Sequence, residues 1–376
     1  MAAISERERE RLHASFEALC RIPSPTGQER RVADWLTQEL SALGLEVAED
    51  DVGAAVGCDA GNLLTRIAGS GPRTLLFCAH MDTVPLTAPV EPLRRDGGWE
   101  NAHRAILGAD NKAAVASMVE LARSLVQAPS PPQVGVELLF TVAEETGLNG
   151  ASRFDTGRLS SEFGYVFDHA SPLGEIITAS PTHMRIDAEI RGRAAHAGLE
   201  PERGASAILA AARAVVQMPQ GRLDAETTAN VGIVSGGTAT NVVPERCLVS
   251  AEVRAVDQQQ LDAFTTAALD ALQDGADSSG CDIELSVQRM FSGYRAGRRE
   301  RSVALAASAL RALGHEPSYR SSGGGSDANA LRLAGFECTN LANGTERAHQ
   351  PDERVSFVAL ESNLALMHEL LRQAAS

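Results

Sequence analysis

Four acidic residues and a histidine fall where short apolar runs end. His80 and Asp82 follow residues 74–79 (TLLFCA), Glu144 and Glu145 follow 134–142 (VGVELLFTV), and Asp168 follows 163–167 (FGYVF). Asp110 opens the helical pattern between the first two runs. Singly, each is commonplace: a His-x-Asp is usually chance, a Glu pair before Thr-Gly is usually a solvated strand end, and Asp is among the best helix caps. In open α/β sheets, however, ligands lie outside the carboxyl ends of the strands, so these groups should converge on one crevice. Carboxylates crowded there would repel and be costly to desolvate unless a cation compensated them. A dinuclear divalent site resolves this. Imidazole with carboxylate suits zinc, with manganese or cobalt as alternatives, and two-metal hydrolases hold their ions ~3.5 to 4 Å apart to clamp the attacking and departing oxygens. Two dications against three ligand carboxylates and a bridging hydroxide give a neutral core, which leaves one Glu of the pair free. Neighbours at a strand end point apart, so one can ligate while the other faces the water as general base. Asp82 would orient His80 from behind.

The elements that must position these groups change character along the chain. Up to about residue 179, apolar runs alternate with helical patterns, as for strands buried on both faces; Val115, Met118, Val119, Ala122 and Val126 share one helix face. From Met184 the pattern turns to strict alternation, with Met184, Ile186, Ala188 and Ile190 against Arg185, Asp187, Glu189 and Arg191. Helical stretches at 205–217 and 258–273 and strands at 229–234, 248–255 and 282–287 complete a β-α-β-β-α-β, ferredoxin-like unit. Helical patterns resume beyond Tyr294. The expectation is an α/β catalytic domain with a mainly parallel sheet and flanking helices, residues 1–179 and 294–376, carrying an inserted α+β ferredoxin-like domain at 180–293.

Composition narrows the partners. Among 376 residues, 49 Asp+Glu outweigh 34 Lys+Arg for a formal net charge of −15, without a basic run, so nucleic acid is not expected. Cys20, Cys58, Cys78, Cys247, Cys281 and Cys338 are scattered and form no CxxC pair, which reads as reduced thiols in a cytoplasmic protein. Neither an apolar signal core nor a membrane-length apolar span is evident, so no membrane partner is expected.

The strings CAHMDTVP, GADNKAAVA, AEETGLNGA, FDHASPLGE and RAHQPDERV resemble those of the dinuclear zinc exopeptidases that include peptidase T, aminoacylase and carboxypeptidase G. The inserted-domain strings AAHAGLEPERGASAI, GRLDAETTANVG and GGTATNVVPE, with SGGGSDANAL later, resemble the peptidase T-like branch most. The resemblance spans nearly the whole chain. It implies that His80 and Asp168 hold one metal, Glu145 and His349 the other, that Asp110 bridges, and that Glu144 is the general base; it gives His103 and His169 no such role. It also implies a homodimer formed through the inserted domain, with His196 polarising the substrate carbonyl and Asn241 and Arg254 gripping its backbone and carboxylate. Gly323, Gly324 and Gly325 before a helical pattern suggest a backbone anion site for a substrate carboxylate. Two places depart from the family pattern: Asn111 stands where a second Asp is frequent, and residues 86–106 match nothing recognisable.

The expected activity is that of a metal-dependent exopeptidase on short peptides, most like a peptidase T-type tripeptide aminopeptidase. An N-acyl-amino-acid deacylase or carboxypeptidase is the alternative. A non-catalytic protein on the same scaffold should lack the base or a ligand, yet every position is filled. A nucleotide-binding domain needs a glycine fingerprint after the first strand, where this chain has His-Met-Asp.

Overall fold

A computed structural model describes residues 4–375. Contacts divide the chain into two compact units. One takes the chain up to Thr178, then Ala296–Arg320 and the stretch from Ser326 onward; the other takes Ala179–Arg295 together with Ser321–Gly325. The triple-glycine loop therefore belongs to the inserted unit rather than to the returning segment in which the sequence suggests it.

The sheet of the first unit carries, in spatial order, Val47–Glu49, Leu63–Ile67, Gly135–Thr141, Thr74–His80, Phe163–His169 and Glu337–Ala342. The last four run parallel, while Leu63–Ile67 is antiparallel to Gly135–Thr141. Gly135–Thr141 is buried at every position and Thr74–His80 at all but the first, which is why these stretches read as largely apolar runs, with Glu137 a buried exception. The helix Ala109–Val126 packs on Thr74–His80, and the helices Glu6–Cys20 and Phe357–Ala374 pack against it in turn. Its residues from Asn111 to Ala122 are consequently all buried, where the spacing had suggested a single apolar face. Glu6–Cys20 is started by a capping box between Ser5 and Glu8, two orphan backbone groups being satisfied reciprocally.

Residues 86–106, unplaced by motif, form a hairpin of Pro92–Arg95 and Gly98–Asn101. It continues into Arg354–Ser356 and Thr345–Glu346 to make a four-stranded antiparallel sheet. Trp99 opposite Val355 fixes the register, and the buried indole donates to His13 Nδ1 at 2.9 Å. This hairpin anchors the loop that carries His349.

The inserted unit is a five-stranded antiparallel sheet in the order Gly221–Arg222, Thr227–Gly236, Arg246–Ala255, Thr182–Arg191, Asp282–Phe291. Helices Ala207–Gln217 and Gln258–Asp277 cover one face. Ile186, Ala188 and Ile190 point into that core with Val249, Val253 and Leu272, and the charged residues between them do not, so the alternation of the sequence is the alternation of the sheet. All six cysteines are free, and among the described residues no helix is long and apolar enough to cross a membrane.

Candidate metal centre

Three adjacent parallel strands deliver their carboxyl ends to one place. His80 is the last residue of Thr74–His80, Asp168 the sixth of Phe163–His169, and Glu144 and Glu145 lie just past Gly135–Thr141. Asp110 arrives differently. Gly108 adopts a left-handed φ of 78°, and Asp110 and Asn111, joined by a cis peptide, depart from helical dihedrals at the start of Ala109–Val126. Asp110 makes no cap; its carboxylate turns between two imidazoles. The second of these, His349, sits on the loop between Thr345–Glu346 and Arg354–Ser356 with a left-handed φ of 63°.

The distances across these groups are those that ligands of a shared ion would keep. His80 Nε2 lies 3.3 Å from Asp110 Oδ1 and 3.5 Å from Asp168 Oδ1. His349 Nε2 lies 3.4 Å from Asp110 Oδ2 and 3.1 Å from Glu145 Oε1. Two atoms each about 2.0–2.1 Å from one tetrahedral ion stand roughly 3.3 Å apart. Asp110 Oδ1 and Glu145 Oε1 are buried and accept no hydrogen bond, an arrangement that is costly unless a cation takes the lone pairs. Two trios emerge, His80/Asp110/Asp168 and Asp110/Glu145/His349, sharing Asp110; His80, Glu144 and Glu145 form a third. The donor set fits two divalent cations.

Electrostatics support that fit. Burial pushes the Glu144 and Asp168 carboxyls well up, reinforced at Glu144 by the Asp168 charge and at Asp168 by that of Asp110. His80 is held protonated well above the imidazole range: burial opposes this, but Asp168, Asp110 and Asp82 outweigh it. The Asp110 and Glu145 carboxylates that face its ring raise His349 to about 10. Without metal, then, imidazolium protons stand in for the cations. Ligation requires neutral rings and ionised carboxylates, so binding of divalent cations at pH 7 should expel protons from His80 and His349, with whatever share Asp168 holds, and apparent affinity should climb as pH rises and fall in acid. Titrating zinc into metal-free protein in buffers of different ionisation enthalpy measures this directly; heats independent of buffer would contradict it.

Buried groups behind the ligands hold them in place, Asp82 among them and others to which the sequence assigns no role. Asp82 accepts the backbone N–H of Glu144 at 3.0 Å and of Glu145 at 3.2 Å, and the Thr26 hydroxyl at 2.6 Å. His80 Nδ1 lies nearer the Asp82 carbonyl (3.0 Å) than its carboxylate (3.4 Å), so the carboxylate serves the glutamate pair more than the imidazole it was expected to orient. Glu29 accepts the Ala143 N–H, and Asn340 brackets Asp168 through its N–H and C=O. Asp327, raised to about 6 by burial, accepts from Thr141 beneath the strand ends. His103 pairs with Glu91 and His169 faces Glu175; neither joins a metal-capable cluster.

The remaining candidates lie in the inserted unit. His196 Nδ1 accepts the Gly198 N–H at 3.2 Å, which assigns the ring proton of the neutral imidazole to Nε2 and presents a donor outward from an exposed loop. Asn241 is its neighbour, its carbonyl accepting from Ala197 N at 3.0 Å. Arg254 spends its fork on Glu252, at 3.0 and 3.1 Å, leaving Nη1 directed at Gly323 O at 3.4 Å. A bidentate grip on substrate there would require Glu252 to be displaced. Arg254, Arg222, Glu226 and residues 321–323 line a cavity of about 90 Å³. Gly324 N–H is already taken by Ser322 Oγ, and Gly325 is glycine because a Cβ would meet the Phe291 ring at 2.7 Å.

Residues 178–279 match the family model for a peptidase dimerisation domain, and residues 62–171 that for peptidase family M28. The chain is 35% identical over 366 residues to the uncharacterised protein YqjE of Bacillus subtilis, covering 97% of this chain and 98% of that one. Among solved structures it is similar to aminopeptidase PepT from Bacillus cereus, with 37% identity, TM-score 0.87 and coverage of 98% and 99%. A tripeptidase from Staphylococcus aureus has 32% identity and TM-score 0.92, covering 98% of each chain. The α/β unit with an inserted ferredoxin-like unit is the fold of these structures.

Proposed function

This chain belongs to the peptidase T-like branch of the M20 metallopeptidases, and we propose that it is a cytoplasmic, dinuclear zinc aminopeptidase that cleaves the first residue from short peptides, tripeptides foremost. The observation that carries this reading is the sharing of Asp110 between two imidazoles, His80 on one oxygen and His349 on the other.

Asp168 with His80 would hold one cation and Glu145 with His349 the other, with Asp110 touching both. Once bound, such ions acidify water and polarise a scissile carbonyl. Glu144, its backbone clamped by Asp82, would take a proton from the attacking water and return it to the departing amine. The raised affinity of its buried carboxyl for a proton suits a group that must both accept and donate one near neutral pH. His196, through its Nε2–H, would stabilise charge developing on the carbonyl oxygen, and Asn241 and Arg254 would hold the peptide's backbone and terminus, beside Gly323–Gly325. A homodimer through the inserted unit accords with the dimerisation-domain match and with exposed Leu285 and Val287 on the edge strand Asp282–Phe291; a sedimentation mass of one chain would remove it. The six unpaired cysteines accord with a reducing compartment.

Zinc-reconstituted enzyme should hydrolyse a free tripeptide, still hydrolyse its C-amidated form but with a raised KM because Arg254 loses the carboxylate it would grip, and leave the N-acetylated form intact, because an aminopeptidase requires the free amine. Release of acetate or of the C-terminal residue from the blocked peptide would transfer the assignment to a deacylase or carboxypeptidase.

A further inference from the structure

The start of Ala109–Val126 leaves backbone donors unsatisfied: Asp110 and Asn111 are non-helical, Gly108 has no side chain, and no side chain near in sequence caps them. A helix entrance buried without partners is costly. The partner comes from about 245 residues away. Glu353, 2% exposed, accepts Leu107 N–H and Gly108 N–H on Oε2, both at 2.7 Å, and Asp110 N–H on Oε1 at 2.9 Å. Three donors on two oxygens demand a group that only accepts, which a carboxylate is and an amide is not.

Glu353 is also the root of the loop that carries His349. That imidazole is half-exposed, and the loop holds it through Gln350 N–H to Arg347 O and Glu353 N–H to Gln350 O, each at 3.0 Å, before entering the strand Arg354–Ser356. One buried carboxylate thus joins the backbone of Asp110 to the backbone that aims His349, the two ligands whose atoms must stand 3.4 Å apart. His80 and Asp168 are placed by their own strands, so the cation beside them depends on Glu353 only through the one shared ligand, Asp110, whereas the other depends on it through both Asp110 and His349.

We infer that Glu353 is a positioning residue which sets the spacing of His349 and Asp110 and thereby the affinity for the cation shared by His349, Asp110 and Glu145, while leaving the His80/Asp168 cation largely to its strands. This rests on the dinuclear reading proposed above. E353Q isolates the effect: with its oxygen toward Leu107 and Gly108, its amide nitrogen opposes the Asp110 N–H and pushes that ligand's backbone away.

The test is a zinc titration of metal-free wild type, E353Q, E353D and the control Ser5→Ala, which loses a helix cap remote from the site, with melting temperature recorded for each. Wild type should bind two ions. E353Q and E353D should keep one near wild-type affinity and weaken the other by about 10- to 100-fold, as loss of a partner behind a ligand typically does. Ser5→Ala should melt earlier yet bind both normally. Both ions bound normally by E353Q, both weakened equally, or failure of both Glu353 variants to fold would overturn the positioning role. A wild type that takes up no zinc would instead overturn the dinuclear reading.

Discussion

Glu144→Ala should cut the turnover of a tripeptide by about 10²- to 10⁴-fold, the span usual for a lost general base, while the protein still binds two zinc ions. The division of labour within the Glu144–Glu145 pair is what this result reads. Both side chains come within reach of His80, so spacing alone permits either to ligate. Their surroundings differ. Glu145 Oε1 faces His349 Nε2 at 3.1 Å with no hydrogen bond of its own, whereas Glu144 forms no ion pair among the described residues and has the proton affinity of a buried acid flanked by Asp168. If Glu144 were a ligand, its removal would lower the metal count with the rate, and added zinc would recover part of both. A full metal complement with lost turnover, unaltered by excess zinc, is the signature of a base. Retention of wild-type rate would end the assignment.

What the sequence made legible follows from which interactions are local. Strands at Gly135–Thr141 and Thr74–His80 are largely apolar because both faces are covered, the buried Glu137 being satisfied by Arg66, Ser160 and Ser161, and their ends therefore mark the crevice where His80, Glu144 and Glu145 meet. Likewise the alternation from Met184 marks a sheet covered on one face. Asp110 is ambiguous because a helix-start Asp ordinarily caps, and only the left-handed Gly108 and non-helical dihedrals after it turn the carboxylate inward. His349 eludes periodicity altogether. Its loop is strung between strands of two and three residues, too short to show a period, and these owe their register to the hairpin at Pro92–Asn101, whose own sequence matches no motif. Glu353 and Asp82 act on backbone N–H groups far away in the chain, a role that side-chain type does not advertise. The Glu252 partner of Arg254, by contrast, was open to view, since residues two apart on a strand share a face.

Asp110→Asn should have the other large effect: bound zinc falling well below two ions per chain, and kcat/KM falling by at least about 10³-fold, the equivalent of ~4 kcal/mol of lost charge stabilisation. The substitution keeps shape and keeps the backbone N–H that Glu353 holds. What changes is one oxygen. In the metal-free protein both carboxylate oxygens are engaged, Oδ1 toward His80 and Oδ2 toward His349, so an amide can satisfy one trio and must present nitrogen to the other. Charge acts in the same direction. Asp110, Glu145 and Asp168 set three negative charges against the four of two dications, and loss of one leaves a buried excess that disfavours the second ion. A carboxylate serving a single ion would behave otherwise, since the amide oxygen could replace it with little loss of stoichiometry. An Asp110→Asn variant carrying two tightly bound ions would therefore show that Asp110 does not bridge. Partial recovery of rate in millimolar zinc, with saturation at two ions, would show that it does and that the defect is one of affinity.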